Sequence, residues 1–139
     1  MVKRIINGKN CEIINTLGQE LNINFKKLFD INSIINDNNQ RLYGYFLHDK
    51  LIGFLHLTVS FEEADIVNVI IQKEYRHRGI GTELINYAVK QDNLAKLNLE
   101  VRESNKNAIA FYQKLGFQEI RIIKNYYQQE NAIFMVKKF

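Results

Sequence analysis

Residues 66–71, Ile66-Val67-Asn68-Val69-Ile70-Ile71, are a short β-branched run that reads as a buried strand. A helical stripe follows, with Ile80, Leu84, Ile85 and Ala88 on one face. Between the two lies the segment Arg76-His77-Arg78-Gly79-Ile80-Gly81. A strand, a basic loop with two glycines and a helix start together make a phosphate cradle. Glycine lets the backbone approach an anion closely, and the free amides at a helix start point outward to bind it. A phosphorylated ligand is therefore expected at this corner.

The elements around the cradle are legible to different degrees. Val2 to Ile6 reads as a short strand. Asn10 to Leu21 and Phe25 to Ile35 carry helix-like apolar spacing, broken around Asn22-Ile23-Asn24, and the Asn36–Asn39 cluster reads as a loop. Leu42 to His48 and Leu51 to Phe61 are aromatic and β-branched, which predicts a hairpin turning at Asp49-Lys50. Glu62-Glu63-Ala64-Asp65 reads as the next turn, and Ile66 to Ile71 as the next strand. The helix Ile80 to Gln91 follows. Leu97, Leu99 and Val101 alternate with Asn98, Glu100 and Arg102 as a half-buried strand.

Ser104 is placed to cap the following helix. On that helix Ala108, Phe111, Tyr112 and Leu115 form one apolar stripe, and Gly116-Phe117 reads as its left-handed stop with an apolar contact. Phe117 to Ile123 and Ala132 to Val136 close the chain as strands. The order predicts a mixed α/β domain over residues 1–139, with an antiparallel front half and a βαβ crossover in the middle.

Bulk properties narrow the class. A chain of 139 residues, 46% hydrophobic and 24% charged, suits one soluble globular domain. No apolar run reaches the ~18 residues of a membrane span, and Met1 to Asn7 lacks the apolar core of a signal peptide. Cys11 stands alone, and no Cys/His cluster has zinc spacing, so neither a disulfide nor a metal is expected. The net charge of +4 is mild and its carriers are scattered outside the loop, so neither nucleic acid nor a membrane surface is expected as partner. A cytoplasmic protein is the expectation.

Two phosphate-binding classes compete for the loop. In a nicotinamide-nucleotide enzyme Glu100, about 20 residues on, would hold the ribose. Three details oppose this: Leu84 stands where a third glycine belongs, some seventy residues precede the motif, and too little chain follows it for a doubly wound sheet. Arg76-x-x-Gly79-x-Gly81 instead matches the R/Q-x-x-G-x-G/A loop of the GNAT N-acetyltransferases, after a fourth strand and before a third helix.

The resemblance sharpens downstream. Leu99-Glu100-Val101-Arg102-Glu103-Ser104-Asn105, Ala108-Ile109, Tyr112, Gly116-Phe117, Asn125-Tyr126-Tyr127 and Asn131-Ala132-Ile133-Phe134-Met135 resemble the second half of that family. So does Glu63-Ala64 running into Asn68-Val69-Ile70-Ile71. In detail they are similar to the bacterial RimI type, which acetylates the N-terminal alanine of a small-subunit ribosomal protein. The likeness covers residues 41–139. The aromatic-Pro-Trp element expected in that type is missing, since the chain has neither Pro nor Trp.

The resemblance implies a GNAT fold: a mixed, mostly antiparallel sheet of about six or seven strands with about four helices. It implies that Val69, Ile70 and Ile71 hold the acetyl arm of acetyl-CoA by main-chain hydrogen bonds. Arg76, His77, Arg78, Gly79, Ile80, Gly81 and Thr82 would hold the diphosphate, and Asn105 would also contact the coenzyme. Glu100 takes the role of general base and Tyr112, twelve residues on, that of general acid. For Glu100 the base role requires a raised pKa, from burial or from a like charge such as Glu103.

An α-amine is the easier acceptor, since its reference pKa is near ~7.8 while that of lysine is near ~10.4. The acceptor expected is a protein N-terminus; a small amine or an aminoacylated RNA stands as the alternative, as does a CoA-binding module without turnover. Considered alone, Tyr112 is a core residue and Glu100 a solvent-facing strand residue; their setting raises both to candidates. His48 and His56 read as surface or packed histidines, and Cys11 as a small helix residue. The acidic group Glu62, Glu63 and Asp65 is either merely solvated or steers a basic polypeptide. Tyr126 and Tyr127 either line the acceptor groove or pack on the last strands.

Overall fold

The computed structural model describes residues 1–139. Seven strands form one sheet: β1 (Val2–Arg4), β2 (Gln40–Leu47), β3 (Lys50–Ser60), β4 (Glu63–Ile71), β5 (Lys96–Arg102), β6 (Gln118–Tyr127) and β7 (Glu130–Lys138). Their order is β1-β2-β3-β4-β5-β7-β6. Every pairing is antiparallel except β4–β5, which the crossover helix makes parallel. The helices are α1 (Cys11–Leu21), α2 (Phe25–Leu28), α3 (Ile31–Ile35), α4 (Ile80–Gln91) and α5 (Lys106–Lys114). This is the mixed, mostly antiparallel sheet expected from the sequence.

Local differences from the sequence reading have local causes. The helix expected over Phe25–Ile35 is two short helices, because Phe29 and Asp30 are extended and Asp30 caps α3 through Ser33. The first hairpin turns at His48-Asp49, not Asp49-Lys50: both residues are left-handed (φ 51° and 65°), as a twist-matched two-residue turn requires, and Lys50 already pairs with Leu47. The second turns at Phe61-Glu62. Glu63 and Asp65 therefore belong to β4, and of the acidic group only Glu62 lies in the turn.

Two apolar layers fix the helices. On one face Leu84, Ile85 and Ala88 of α4 and Ile109 of α5 pack against Leu55, Leu57, Leu97, Leu99 and Met135. On the other, Ile14, Leu17, Phe25, Ile31 and Ile34 pack against Leu42, Leu51, Phe54 and Ile70. No β5, β6 or β7 residue belongs to this second core, so α1–α3 cover only the first part of the sheet. The far end of α4 is clamped to β2: Tyr43 donates its hydroxyl to Asp92 at 2.6 Å and Arg41 Nε donates to the same carboxylate at 3.1 Å.

Asn105, not Ser104, caps α5, its Oδ1 accepting from the Ala108 N–H at 3.1 Å. The expected stop is present: Gly116 has φ 98°, its N–H donates to Gln113 O, and the Phe117 N–H donates to Tyr112 O at 2.9 Å.

Helix propensity alone favours alanine over glycine at position 18 by about 1 kcal/mol. Packing outweighs it, because a Cβ there would lie 2.3 Å from the ring of Phe25, which is buried. Gly18→Ala is expected to destabilise the protein by about 1–3 kcal/mol, read as a lower urea midpoint with an unchanged slope.

Candidate active site

The loop after β4 begins with a 3₁₀ turn over Lys73–Tyr75. Arg76 Nε then donates back to Ile71 O at 2.9 Å, tying the loop to its strand. His77 (φ 63°) and Gly79 (φ 79°) are left-handed, a backbone form that gathers successive N–H groups into a concavity. The first helical bond of α4 runs from Glu83 N–H to Gly79 O at 3.0 Å, and no side chain caps the helix. The N–H groups of Ile80, Gly81 and Thr82 thus stand without helical partners at the positive end of the helix dipole.

The two glycines serve different needs. Gly79 has open space where a side chain would begin and is demanded by its φ; at Gly81 a Cβ would sit 3.1 Å from Phe111 Cζ, so it lets α5 come close.

These donors open on a cavity of about 490 Å³ between β4, the loop, α4 and α5. Parallel pairing between β4 and β5 covers only Glu63–Asp65 against Lys96–Asn98, and beyond it the strands part. Gln72 N–H donates to Ile52 O at 2.8 Å. Antiparallel alternation then turns the polar main-chain groups of Asn68 and Ile70 toward β3 and those of Val69 and Ile71 into the gap. Arg76 occupies Ile71 O, which leaves the Val69 N–H and C=O and the Ile71 N–H free for a ligand.

Nine of the expected binding residues line this cavity: Val69, Ile70, Ile71, Arg76, His77, Gly79, Ile80, Gly81 and Thr82. Arg78 does not; its guanidinium lies 5.4 Å from the Tyr75 ring centre. Asn105 lies outside as well, with its Oδ1 spent on the α5 cap. Sequence reasoning missed Leu21, Tyr75, Asn107, Ala108, Phe111 and Lys114 as lining. The stripe on α5 marked Ala108 and Phe111 as inward-facing; Leu21, Asn107 and Lys114 carried no signal.

Tyr112 lines the cavity and packs edge-on against Phe111 and Phe117, with ring centres 5.1 and 5.4 Å apart. Burial pushes its hydroxyl up to about 12, so it stays protonated at neutral pH.

Glu100 is absent from the cavity lining and sits on the other side of the sheet. Leu99 and Val101 join the α4–α5 core, so strand alternation sends Glu100 to the opposite face, where β5 has left β4. It is half-buried there. Burial, and then the charge of Asp65, raise its carboxyl above the usual range, while Arg121 opposes the shift. The like-charged neighbour is therefore Asp65 on β4 and not Glu103, which lies past the end of β5 with its N–H on Asn131 O. Tyr127 stacks on Arg102 (4.2 Å) and reaches the Glu100 carbonyl at 3.4 Å, so the β6–β7 hairpin borders the same region.

The sequence pattern of the acetyltransferase (GNAT) family matches residues 11–117. The chain belongs to the GNAT acetyltransferase family. The [ribosomal protein bS18]-alanine N-acetyltransferase of Escherichia coli K12 is 37% identical over 93 residues, 62% of this chain and 63% of that protein, so the match spans under two thirds of the curated relative. The crystal structure of the E. coli ribosomal-protein-S18-alanine N-acetyltransferase superposes with a TM-score of 0.79 over 99% of this chain and 92% of that one, at 24% identity. A provisionally named streptothricin acetyltransferase of Bacillus anthracis, solved with acetyl coenzyme A, is 31% identical over 80% of this chain and 69% of that one, with a TM-score of 0.72. The GNAT fold is thus common to this chain and to proteins with different named acceptors. No helix is long and apolar enough to cross a membrane.

Gly79→Ala meets no neighbouring atom but forces a side chain into φ 79°. It is expected to cost about 1–2 kcal/mol of stability by denaturant unfolding. Coenzyme A binding, measured by calorimetry, should weaken beyond what that loss explains, since the added methyl group intrudes on the cradle.

Proposed function

We propose that the protein is an acetyl-CoA-dependent N-acetyltransferase of the cytoplasm that acts on the α-amine of a protein N-terminus, the ribosomal bS18 type being the model. The observation that carries this is the gap between β4 and β5. The amide cradle and Tyr112 lie on one face of the sheet, Glu100 lies on the other, and the gap is where the faces communicate.

The residues fit coenzyme A. Three N–H donors and the rim charges of Arg76 and Lys114 suit a diphosphate. The gap edge of Val69 and Ile71 suits an amide-bearing arm, and Phe111 offers an apolar wall. Asn105 and Arg78 are at most peripheral contacts, the one committed to its helix and the other to Tyr75. When bound, acetyl-CoA supplies the acetyl group as a thioester.

The protein's own groups manage the protons. Glu100 takes the proton of the acceptor ammonium, directly or through water, and frees the nitrogen lone pair. The nitrogen gains its bond to the acetyl carbon as the carbon–sulfur bond breaks; its second surplus proton passes to water, and the departing thiolate takes a proton from water to leave as the thiol. The Tyr112 hydroxyl meets the departing sulfur. With a pKa of about 12 facing a thiol near ~8.5, it keeps most of its proton at equilibrium, so it acts chiefly as a hydrogen-bond donor while charge develops.

A carboxylate with a raised pKa suffices for an α-amine near ~7.8, whereas lysine near ~10.4 adds about 3–4 kcal/mol of deprotonation. The β6–β7 hairpin with Tyr126, Tyr127 and Arg102 offers an amphipathic wall beside Glu100 for the polypeptide that follows the amine.

Glu100→Gln is expected to lower kcat/KM by about 10²–10⁴-fold with coenzyme A affinity unchanged. Tyr112→Phe should cost roughly 10-fold or more in kcat. Because the Glu100 carboxyl is raised, wild-type kcat/KM should fall with decreasing pH through a pKa above the ordinary glutamate range, and this limb should vanish in Glu100→Gln. Normal turnover in both variants would refute the assignment.

The acceptor is checked by intact-mass measurement of small-subunit ribosomal proteins incubated with enzyme and acetyl-CoA, where a gain of one acetyl group on an N-terminal residue is expected. Acetylation of polyamines or drugs with an unchanged ribosomal set would point to a small amine instead.

A further inference from the structure

Asp65 and Asn98 are the last residues that β4 and β5 pair before they part. Asn98 Nδ2 donates to Asp65 Oδ1 at 3.2 Å. Glu100 follows Asn98 by two residues, so its side chain leaves the strand on the same face. Asp65 is exposed and forms no ion pair, although Lys96 on the neighbouring strand pairs with Glu63. Asn98 is only 8% exposed, and its Oδ1 is buried without any hydrogen-bond partner. A buried carbonyl oxygen left unpaired is costly, and a ligand N–H removes that cost.

We infer that Asp65, Asn98 and Glu100 form the receiving site for the ammonium group of the acceptor, with Asp65 holding the cation and Glu100 accepting its proton. This deepens the acetyltransferase reading and rests on it. What the three side chains present is acceptor oxygen: the Asp65 carboxylate and the Glu100 carboxylate, with the unpartnered Asn98 Oδ1 buried between their strands. An ammonium group brings three N–H donors and a positive charge, which is the complement of that set. A hydroxyl acceptor brings one donor and no charge, and would leave two of the oxygens unserved.

The surroundings of Glu100 leave Asp65 as its one like-charged neighbour. From β6 it faces Arg121 and Tyr127, from β7 the uncharged Phe134, and from its own strand Asn98 and Arg102, whose guanidinium lies over the Tyr127 ring and pairs with Glu130 at 3.8 Å. Arg121 is engaged over the Phe134 ring at 4.9 Å. The Asp65 charge thus does two things at once. It attracts the protonated amine, and it keeps the proton affinity of Glu100 high enough to receive the proton that the amine gives up.

The test compares wild-type enzyme with Asp65→Asn, which preserves the shape and the hydrogen bond to Asn98. Each is loaded with coenzyme A and titrated by calorimetry with a short peptide beginning in alanine, then with the same peptide whose N-terminal residue is replaced by propionyl. Wild type should bind the free-amine peptide at least tenfold more tightly than the propionyl peptide, and Asp65→Asn should remove most of that preference. In turnover the variant should raise the acceptor KM at least tenfold, leave the acetyl-CoA KM unchanged, and move the acid limb of kcat/KM to lower pH. Asp65→Glu should recover part of the amine preference.

A variant that keeps the wild-type preference, or an acid limb that stays in place, overturns the inference. If wild type acetylates a diamine but no protein α-amine, the acceptor class proposed above falls. The inference is then decided by the same comparison between butylamine and butanol as ligands. Absence of any preference for the amine over its uncharged counterpart overturns it whatever the acceptor.

Discussion

Parallel pairing between β4 and β5 ends after three residues on each strand, and the strands then diverge. In an otherwise continuous sheet this leaves Val69 and Ile71 with main-chain groups that no strand serves. An unserved strand edge in the middle of a sheet is ordinarily a liability. Here it leaves, inside the sheet, a place where a ligand can complete the ladder and where the two faces meet. Tyr112 lines the cavity on the α4–α5 face, and strand alternation puts Glu100 on the other. Were the two strands paired to their ends, a closed sheet would separate them.

The gap persists because its flanks are held independently. β4 is fixed by eight pairs with β3, interrupted by one bulge at Val67, and β5 by seven pairs with β7. The helix that crosses between them is pinned at its far end by the Tyr43–Asp92–Arg41 cluster. At its near end Gly81 lets it lie against Phe111 of α5. The loop that carries the amide cradle is braced by Arg76 on Ile71 O, so the first arginine of the motif shapes the backbone as well as adding charge. Donors that must meet an anion without further reorganisation gain most from such a frame.

Sequence pattern revealed those parts whose cause is local. The bounds of α4 were legible because its stripe starts at a glycine that tolerates φ 79°, and the end of α5 because Gly116-Phe117 is a recognisable stop. The hairpin turns are not legible in the sequence because His48, Asp49 and Phe61 take left-handed conformations without any glycine to announce them. The split of α2 from α3 depends on an Asp30 cap inside a continuous apolar pattern. The sequence offers Glu103 as the acid beside Glu100, whereas the crossover brings up Asp65 from 35 positions earlier. Strand alternation shows which face a side chain takes, but not which strand lies beside it.

The two sides of the gap differ in the sign of charge they select. On the cavity side, unpaired N–H groups, a helix N-terminus and cationic side chains favour an anion. On the other, Asp65, the buried unpartnered oxygen of Asn98 and Glu100 favour a cation. The modest net charge of +4 averages over this division and conceals it. Fields of opposite sign, a strand's thickness apart, keep each ligand from the other's site, since exchanging them would set like charge against like in a partly desolvated place. The same division favours the chemistry proposed here. The proton leaves the nucleophile toward the carboxylates, while negative charge developing on sulfur stays on the side that carries the hydroxyl and the helix dipole. Neither charge has to cross the sheet.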